Sequence, residues 1–378
     1  MAKRTRLTYE DELRRRQRRL FVGRDEERRV FQQNLGSDLP EFLIFAIYGQ
    51  AGIGKSFLLS RYQDIAREKG ALTALTTEAE ATAVQDASIV GAMGRLAAEM
   101  AEAGKPLKGF EKGYQRYQAC MRTIEADKHA PQGLFDRAAR ALTRAALSAA
   151  DKTLVGPIVN GMQEVVGKDQ DDLVHEAGAW ATYVATKFRN KADVALLTKP
   201  VETLTPLFVQ HLNRLAEDRR VVLCFDSWEC TGDHLSEWVR GLLRRGGLSA
   251  NVWLTIAGRN RLGDEWESLQ SLMACFELNE FSEEETRDYL KRQGIADEER
   301  AQQIVDFARG IPVLVSTLAS AKGGSTTEAA HDLVDRYLKW VDDPRRQEAA
   351  LHCAAARRLD RDVVTAVVGG EEAGALFD

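Results

Sequence analysis

The stretch Gly49-Gln50-Ala51-Gly52-Ile53-Gly54-Lys55-Ser56 constrains this chain more than any other. It satisfies the pattern G-x-x-x-x-G-K-[ST] at every fixed position. Three glycines let a backbone curl until successive N–H groups point inward, a geometry that suits phosphate oxygens. Lys55 adds a point charge for the β- and γ-phosphates, and the Ser56 hydroxyl is placed to ligate Mg²⁺. The flanks agree with this reading. Phe42–Tyr48 is an unbroken apolar run, as in a strand buried on both faces. Past Ser56, Leu58, Leu59, Tyr62, Ile65 and Ala66 recur at helical spacing as far as Gly70. Strand, glycine loop and helix in that order set the positive end of a helix dipole beneath the phosphates. Phe57, in the first helical turn, joins Gly49–Ser56 in the expected nucleotide-binding set.

Two later segments complete such a site. Val221-Val222-Leu223-Cys224-Phe225-Asp226 is an apolar strand ending in an acid, and Asp226 is expected to hold Mg²⁺ through water or Ser56. Glu229 follows at the distance of a short turn and can polarise an attacking water. Asn251–Arg259 is another buried strand, ending in Gly258-Arg259. An arginine there can reach a γ-phosphate and report its presence; the alternative is an arginine paired with an acid at a strand end. Upstream, Phe21-Val22-Gly23-Arg24-Asp25-Glu26 precedes a helical pattern running to Leu35. Phe21 and Val22 are expected to cover the adenine, with backbone groups reading its edge, and Val22, Gly23 and Arg24 join the nucleotide-binding set; the alternative is an ordinary helix start with Asp25 and Glu26 in its first turn.

At 378 residues the chain has room for two or three domains, and 44% apolar with 29% charged residues is ordinary for a globular protein. No run of about 18 apolar residues exists, so a membrane span is not expected. The five cysteines are scattered with no C-x-x-C pair, which fits reduced thiols in a cytoplasm. A net charge of −5 does not favour general nucleic-acid binding. Residues 1–20 nonetheless hold eight Lys or Arg against three acids. They read as a solvated basic helix leading into the first domain, with nucleic acid or an acidic partner as the alternative.

The remaining pattern is mostly helical. Ala71–Glu78 reads as a strand and Ser88–Ala103 as an amphipathic helix. From about 105 to 200 the composition turns Ala-rich, with breaks at Pro131-Gln132-Gly133, Gly156-Pro157 and Gly161, and reads as a helical insertion. Its apolar section Leu154–Val166 is expected to pack on the parent domain. Asn190-Lys191-Ala192-Asp193 matches a guanine-reading motif, yet it follows a helical segment and precedes the Asp226 strand, the wrong order for that role. A helix over Val201–Leu215 has Pro206 near its start. Leu235–Leu243 is helical, Trp266 and Leu269 lie on a short helix, and Cys275–Leu278 is the last strand. Ser282 with Glu283, Glu284 and Glu285 opens a helical region in which Gly310-Ile311-Pro312 joins Glu298–Phe307 to Val313–Leu318.

These elements, in this order, resemble the STAND class of signal-transduction ATPases, relatives of AAA+ proteins that include NACHT and NB-ARC switches. The bacterial type is nearest around Phe225-Asp226-Ser227-Trp228-Glu229 and Ala257-Gly258-Arg259. The resemblance covers about 21–100 and 200–378. It implies a three-layer α/β P-loop NTPase domain over 21–280, a helical lid over 281–330 and a winged-helix-like domain starting at 331 and left incomplete at Asp378. It further implies that Pro312 packs on the adenine, that Arg259 senses the γ-phosphate and that Mg²⁺-ATP lies between nucleotide domain and lid. ATP and ADP, Mg²⁺ and self-association or a protein partner follow from it, as does a slowly hydrolysing cytoplasmic switch. A motor-like AAA+ ATPase acting on nucleic acid or protein is the rival. One departure is local: many AAA+ members carry the second acid directly after the first, whereas Ser227 stands there.

Overall fold

A computed structural model describes residues 9–77, 89–128, 130, 170–244 and 247–321. The expectations for Leu154–Val166 and for the helices beyond Thr326 lie outside these residues. The chain divides into two compact units, Gly23–Asn279 and a second formed by Met1–Val22 with Glu280–Asp378.

In the first unit, the apolar runs become β1 (Ile44–Tyr48), β2 (Leu72–Thr77), β3 (Val221–Asp226), β4 (Val252–Gly258) and β5 (Met273–Glu277). They form one five-stranded sheet, entirely parallel, in the order β2-β3-β4-β1-β5. β4 is buried throughout and β3 in all but its last residue, which is why both read as continuous apolar runs rather than as alternating ones. Edge strand β5 is only half covered, and its Cys275 is exposed.

Helices cover both faces. On one, Leu72, Leu223, Leu254 and Ile44 share a core with α4 (Ile89–Glu102), α8 (Pro200–Asp218) and α9 (Gly232–Arg244), through Met93, Leu96, Phe208 and Trp238. The strand residues of opposite parity turn to the other face. There Phe45 and Trp253 meet α2 (Asp25–Gly36) and α3 (Lys55–Glu68). Phe31 of α2 is fully buried and stacks on Tyr62 of α3 with centroids 4.1 Å apart, while its edge meets Phe45 at 4.9 Å. The Tyr62 hydroxyl donates to the Glu27 carbonyl at 2.9 Å, so α2 is pinned to α3 by both a ring stack and a hydrogen bond.

Between β2 and β3 lie, among the described residues, α4, α5 (Lys108–Glu125), α6 (Gln170–Lys187), α7 (Lys191–Thr198) and α8. Cys120, Met121, Ile124, Trp180, Val184 and Leu197 form a separate small core there. The Asn190 carboxamide accepts the Ala192 N–H at 2.9 Å and caps α7, and Asp193 pairs with Arg116 of α5. Asn190-Lys191-Ala192-Asp193 is thus a capped helix start. One local expectation fails: α8 begins at Pro200, and Pro206 sits inside it rather than near its start. The first-turn position, where a missing N–H costs nothing, belongs to Pro200; Pro206 forgoes one internal bond.

The second unit holds α1 (Tyr9–Leu20), α10 (Glu283–Gln293), α11 (Glu298–Ala308) and α12 (Pro312–Ser320). Ser282 and Glu285 close a capping box on α10, with bonds of 3.1 and 2.7 Å. Leu290, Ile304, Val315 and Leu318 are its core. Helix α1 packs on α10, and Arg292 donates to the Phe21 carbonyl at 2.7 Å. The basic helix therefore belongs to the unit of α10–α12 and not to the domain that follows it in sequence.

Phe31→Ala should lower unfolding free energy by about 3–5 kcal/mol, since it removes a wholly buried ring from between α2, α3 and the sheet. Leu39→Ala, at a side chain 88% exposed, should stay within about 0.5 kcal/mol of wild type. Urea titration of both variants checks the contrast, and equal effects would refute the placement of α2.

Candidate active site

In a parallel sheet every strand ends at the same edge, and here those ends carry the polar residues. The strand order reverses at β1, whose sequence successor β2 lies at the far edge of the sheet while β4 and β5 flank it. From that point the chain leaves β1 into the glycine loop. Gly49, Gly52 and Gly54 have φ of 148°, 76° and 98°, values that a side chain would strain. Gly49 is further constrained by space: a Cβ there would stand 2.8 Å from the Leu278 carbonyl oxygen. The loop closes onto the first turn of α3, with Gly54 preceding Lys55 at the helix start.

Lys55 is 9% exposed, and its ammonium donates to the Gly49 and Gln50 carbonyls at 2.8 Å each. Burial pushes its pKa below the ordinary lysine value; the nearby carboxylates of Glu229 and Asp226 pull it upward, and Arg259 pushes it down again. One lysine thus senses three groups delivered by the ends of β3 and β4. Ser56 and Phe57 follow on α3 and are both exposed, Phe57 at 56%. Gln50 and Ala51 are exposed at the loop tip, while Ile53 is buried beneath it.

Asp226 closes β3, and its Oδ1 accepts the Ser227 N–H at 2.9 Å. Ser227 has φ 57° and ψ 44°, the left-handed region that a non-glycine residue enters at a cost. That kink starts the short helical turn Trp228–Cys230. Trp228 packs edge-on against Phe225 and Trp266, with centroids 5.5 and 6.1 Å away, and its Cβ lies beside Gly258. The turn is therefore held from below, and Glu229 is carried across to the end of β4. There its Oε2 accepts the Arg259 backbone N–H at 3.0 Å and its Oε1 meets the Arg259 Nε at 3.2 Å. Of the two roles open to Arg259, pairing with an acid is the one seen. Its side chain is 62% exposed, so the ion pair is worth at most about 1 kcal/mol and is easily exchanged.

Ser56 Oγ and the Asp226 carboxylate supply two hard oxygens. Mg²⁺ needs near-octahedral coordination, which phosphate oxygens and water complete in sites of this chemistry. Among the described residues no group of three or more His, Cys, Asp or Glu could hold a metal by itself. Glycine cradle, desolvated lysine and that oxygen pair fit a phosphate carrying a divalent cation.

Of the residues expected from sequence, Gly49–Ser56, Asp226, Glu229 and Arg259 meet at one edge. Gly23 and Arg24 belong to the same unit, Gly23 with φ 63° and Arg24 with φ 58°. Val22, buried, and Pro312, the first residue of α12, belong to the second unit. Two contributors were not foreseen. Leu278 and Asn279, just past β5, offer carbonyls to the loop region, and Ser227 supplies the kink that turns Glu229. Backbone carbonyls leave no trace in side-chain pattern; the serine between Asp226 and Trp228 was the available signal for the second.

No protein-family model matches the sequence, and no curated protein shows significant similarity to it.

The lowered pKa of Lys55 fixes a sign. The folded chain binds this proton less tightly than the unfolded chain does, so the penalty of the charged form is present at neutral pH. It is relieved as pH rises toward the ordinary value of 10.5. The unfolding free energy of wild type relative to Lys55→Met should therefore increase with pH in that window. Urea curves at several alkaline pH values read the difference, and a gap that shrinks would contradict a desolvated ammonium.

Proposed function

We propose that this protein is an ATP-binding, slowly hydrolysing molecular switch of the STAND type, built on a three-layer P-loop domain. The observation that carries the reading is the convergence on Lys55 of Asp226, Glu229 and Arg259 at the edge where the glycine loop leaves β1. The strand order lends support, because β4 stands between the loop strand and the acid-bearing strand, so that Arg259, just past β4, lies between the glycine loop and Asp226. Loop N–H groups and Lys55 bind the triphosphate, with the lysine exchanging the Gly49 and Gln50 carbonyls for phosphate oxygens. Ser56 and Asp226 would hold Mg²⁺, which would supply charge neutralisation on the phosphates.

Glu229 is the group that orients and deprotonates water, and it is occupied by Arg259 in the pairing described above. A γ-phosphate is a second anion for the same guanidinium. Transfer of the Arg259 guanidinium to that phosphate releases Glu229 Oε1 for water while Oε2 keeps the Arg259 backbone N–H, so sensing and hydrolysis share one side chain. A switch needs two states with different nucleotide preference, and this exchange supplies the difference.

Lys55→Ala should weaken ATP binding by about ten- to a hundred-fold, the value of one charge-assisted contact of about 1.5–3 kcal/mol. Glu229→Gln should bind ATP and fail to hydrolyse it. ATP should outcompete GTP, since Asn190-Lys191-Ala192-Asp193 is a helix cap. Calorimetry and a turnover assay test all three. Unchanged ATP affinity in Lys55→Ala would end the reading, and rapid turnover stimulated by DNA would replace the switch with a motor.

A further inference from the structure

The Arg24 side chain has a geometry that nucleotide contact does not explain. Its Nη2 donates at once to the Ile53 carbonyl of the glycine loop, at 3.1 Å, and to the Asn279 carbonyl, at 2.5 Å. Arg24 is held in the left-handed region, a cost for a residue with a side chain, and Gly23 before it takes a positive φ without strain, so the turn aims the guanidinium. Its two partners are not arbitrary. Ile53 is the buried residue on which the loop rests, and Asn279 is the last residue of the first unit. Gly23 is that unit's first residue, so both points where the chain enters and leaves it are within reach of one guanidinium.

The same exit segment touches the loop a second time. Leu278 donates its N–H to the Tyr48 carbonyl at 2.8 Å, and its own carbonyl is the atom that forbids a Cβ on Gly49. Two residues beyond Asn279, Phe281 donates to the Gly310 carbonyl at 2.7 Å, and its carbonyl crowds Gly310, whose φ is 76°. Gly310 precedes Ile311 and Pro312 at the start of α12. Each hydrogen bond lies within one unit; the step from Asn279 to Phe281 is the chain itself.

We infer that Arg24 is a positioning residue, a clasp that ties the phosphate loop to the exit segment 278–281 and so passes the state of the loop along the chain toward Gly310. This rests on the nucleotide reading given above. A clasp bonded to carbonyls differs from a cation bonded to phosphate in a measurable way. It orders the loop for any phosphate ligand, so its loss weakens di- and triphosphate binding by one factor. A phosphate-bound cation would matter more for the triphosphate and would steepen the salt dependence.

The experiment compares wild type, Arg24→Ala, Arg24→Gln and Arg24→Lys by calorimetry with ADP and with ATP at two salt concentrations, and by amide hydrogen exchange with and without each nucleotide. Arg24→Ala should raise both dissociation constants by the same factor, roughly ten-fold, with unchanged salt dependence. Nucleotide should slow exchange at residues 278–281 in wild type and in Lys55→Ala at saturating ATP, but not in Arg24→Ala. Arg24→Lys should recover part of both effects, because a single nitrogen makes both bonds. Should Arg24→Ala fail to fold, Arg24→Gln and Arg24→Lys carry the same comparison with a smaller factor. A larger loss for ATP than for ADP, unaltered affinities, or an exchange response undiminished from wild type in folded Arg24→Ala or Arg24→Gln would overturn the clasp. A wild-type protein that binds neither nucleotide would overturn the nucleotide reading and the clasp together; binding by wild type with an indifferent Arg24→Ala sinks the clasp alone.

Discussion

One ladder aligns everything at the functional edge: the parallel pairing of β1 with β4, with Tyr48 opposite Gly258. The ladder continues past the strands, since Gly49 N–H bonds the Arg259 carbonyl at 3.2 Å. A slip of one residue would turn Phe45 from the aromatic cluster of α2 and α3 into the opposite core, and Ile44 the other way. Both faces are buried, so neither can absorb the exchange. Burial of two differently shaped cores thus fixes the register, and the register sets Lys55 against the ends of β3 and β4.

The site is held more firmly in its backbone than in its charges. The glycine loop is shaped by three positive-φ glycines and a carbonyl that leaves no space for a side chain, and Glu229 is aimed by a left-handed serine and a half-buried tryptophan packed on Trp266. By contrast the Glu229–Arg259 pair is open to solvent on its arginine side and worth little in stability. That contrast suits a centre whose frame persists while its ionic partners exchange.

Local, strongly periodic stretches were legible from sequence. The span Val221–Asp226, the helix after the glycine loop and the cap at Ser282 coincide with the structure because neighbouring residues alone determine them. Pairings over long separations were not. Sequence left Arg259 two roles, because the position of Glu229 depends on a φ that no pattern displays. It left the anchor of the Arg24 side chain unread, because the partner Asn279 lies 255 residues away and offers only a carbonyl. The packing partner of the basic helix α1 was unreadable for a like reason: its packing on α10 is set by residues near the other end of the described chain. Pro206 misled through a rule correctly applied to the wrong proline, since Pro200 was the better helix start.

The order of strands has a consequence for how the chain is made. β1 and β2 emerge first, yet they do not pair with each other; β2 binds β3, and β1 binds β4 and β5. No ladder of this sheet can close until Val221 and its successors have been synthesised, with α4–α8 interposed. Until then two apolar strands, bracketing the glycine loop and α3, have no edge to join. Contacts of such sequence separation form slowly and leave strand edges open to other chains. The helices between β2 and β3 include a small core of their own, and early collapse of that core would shorten the search by bringing β2 and β3 into range before the rest of the sheet exists.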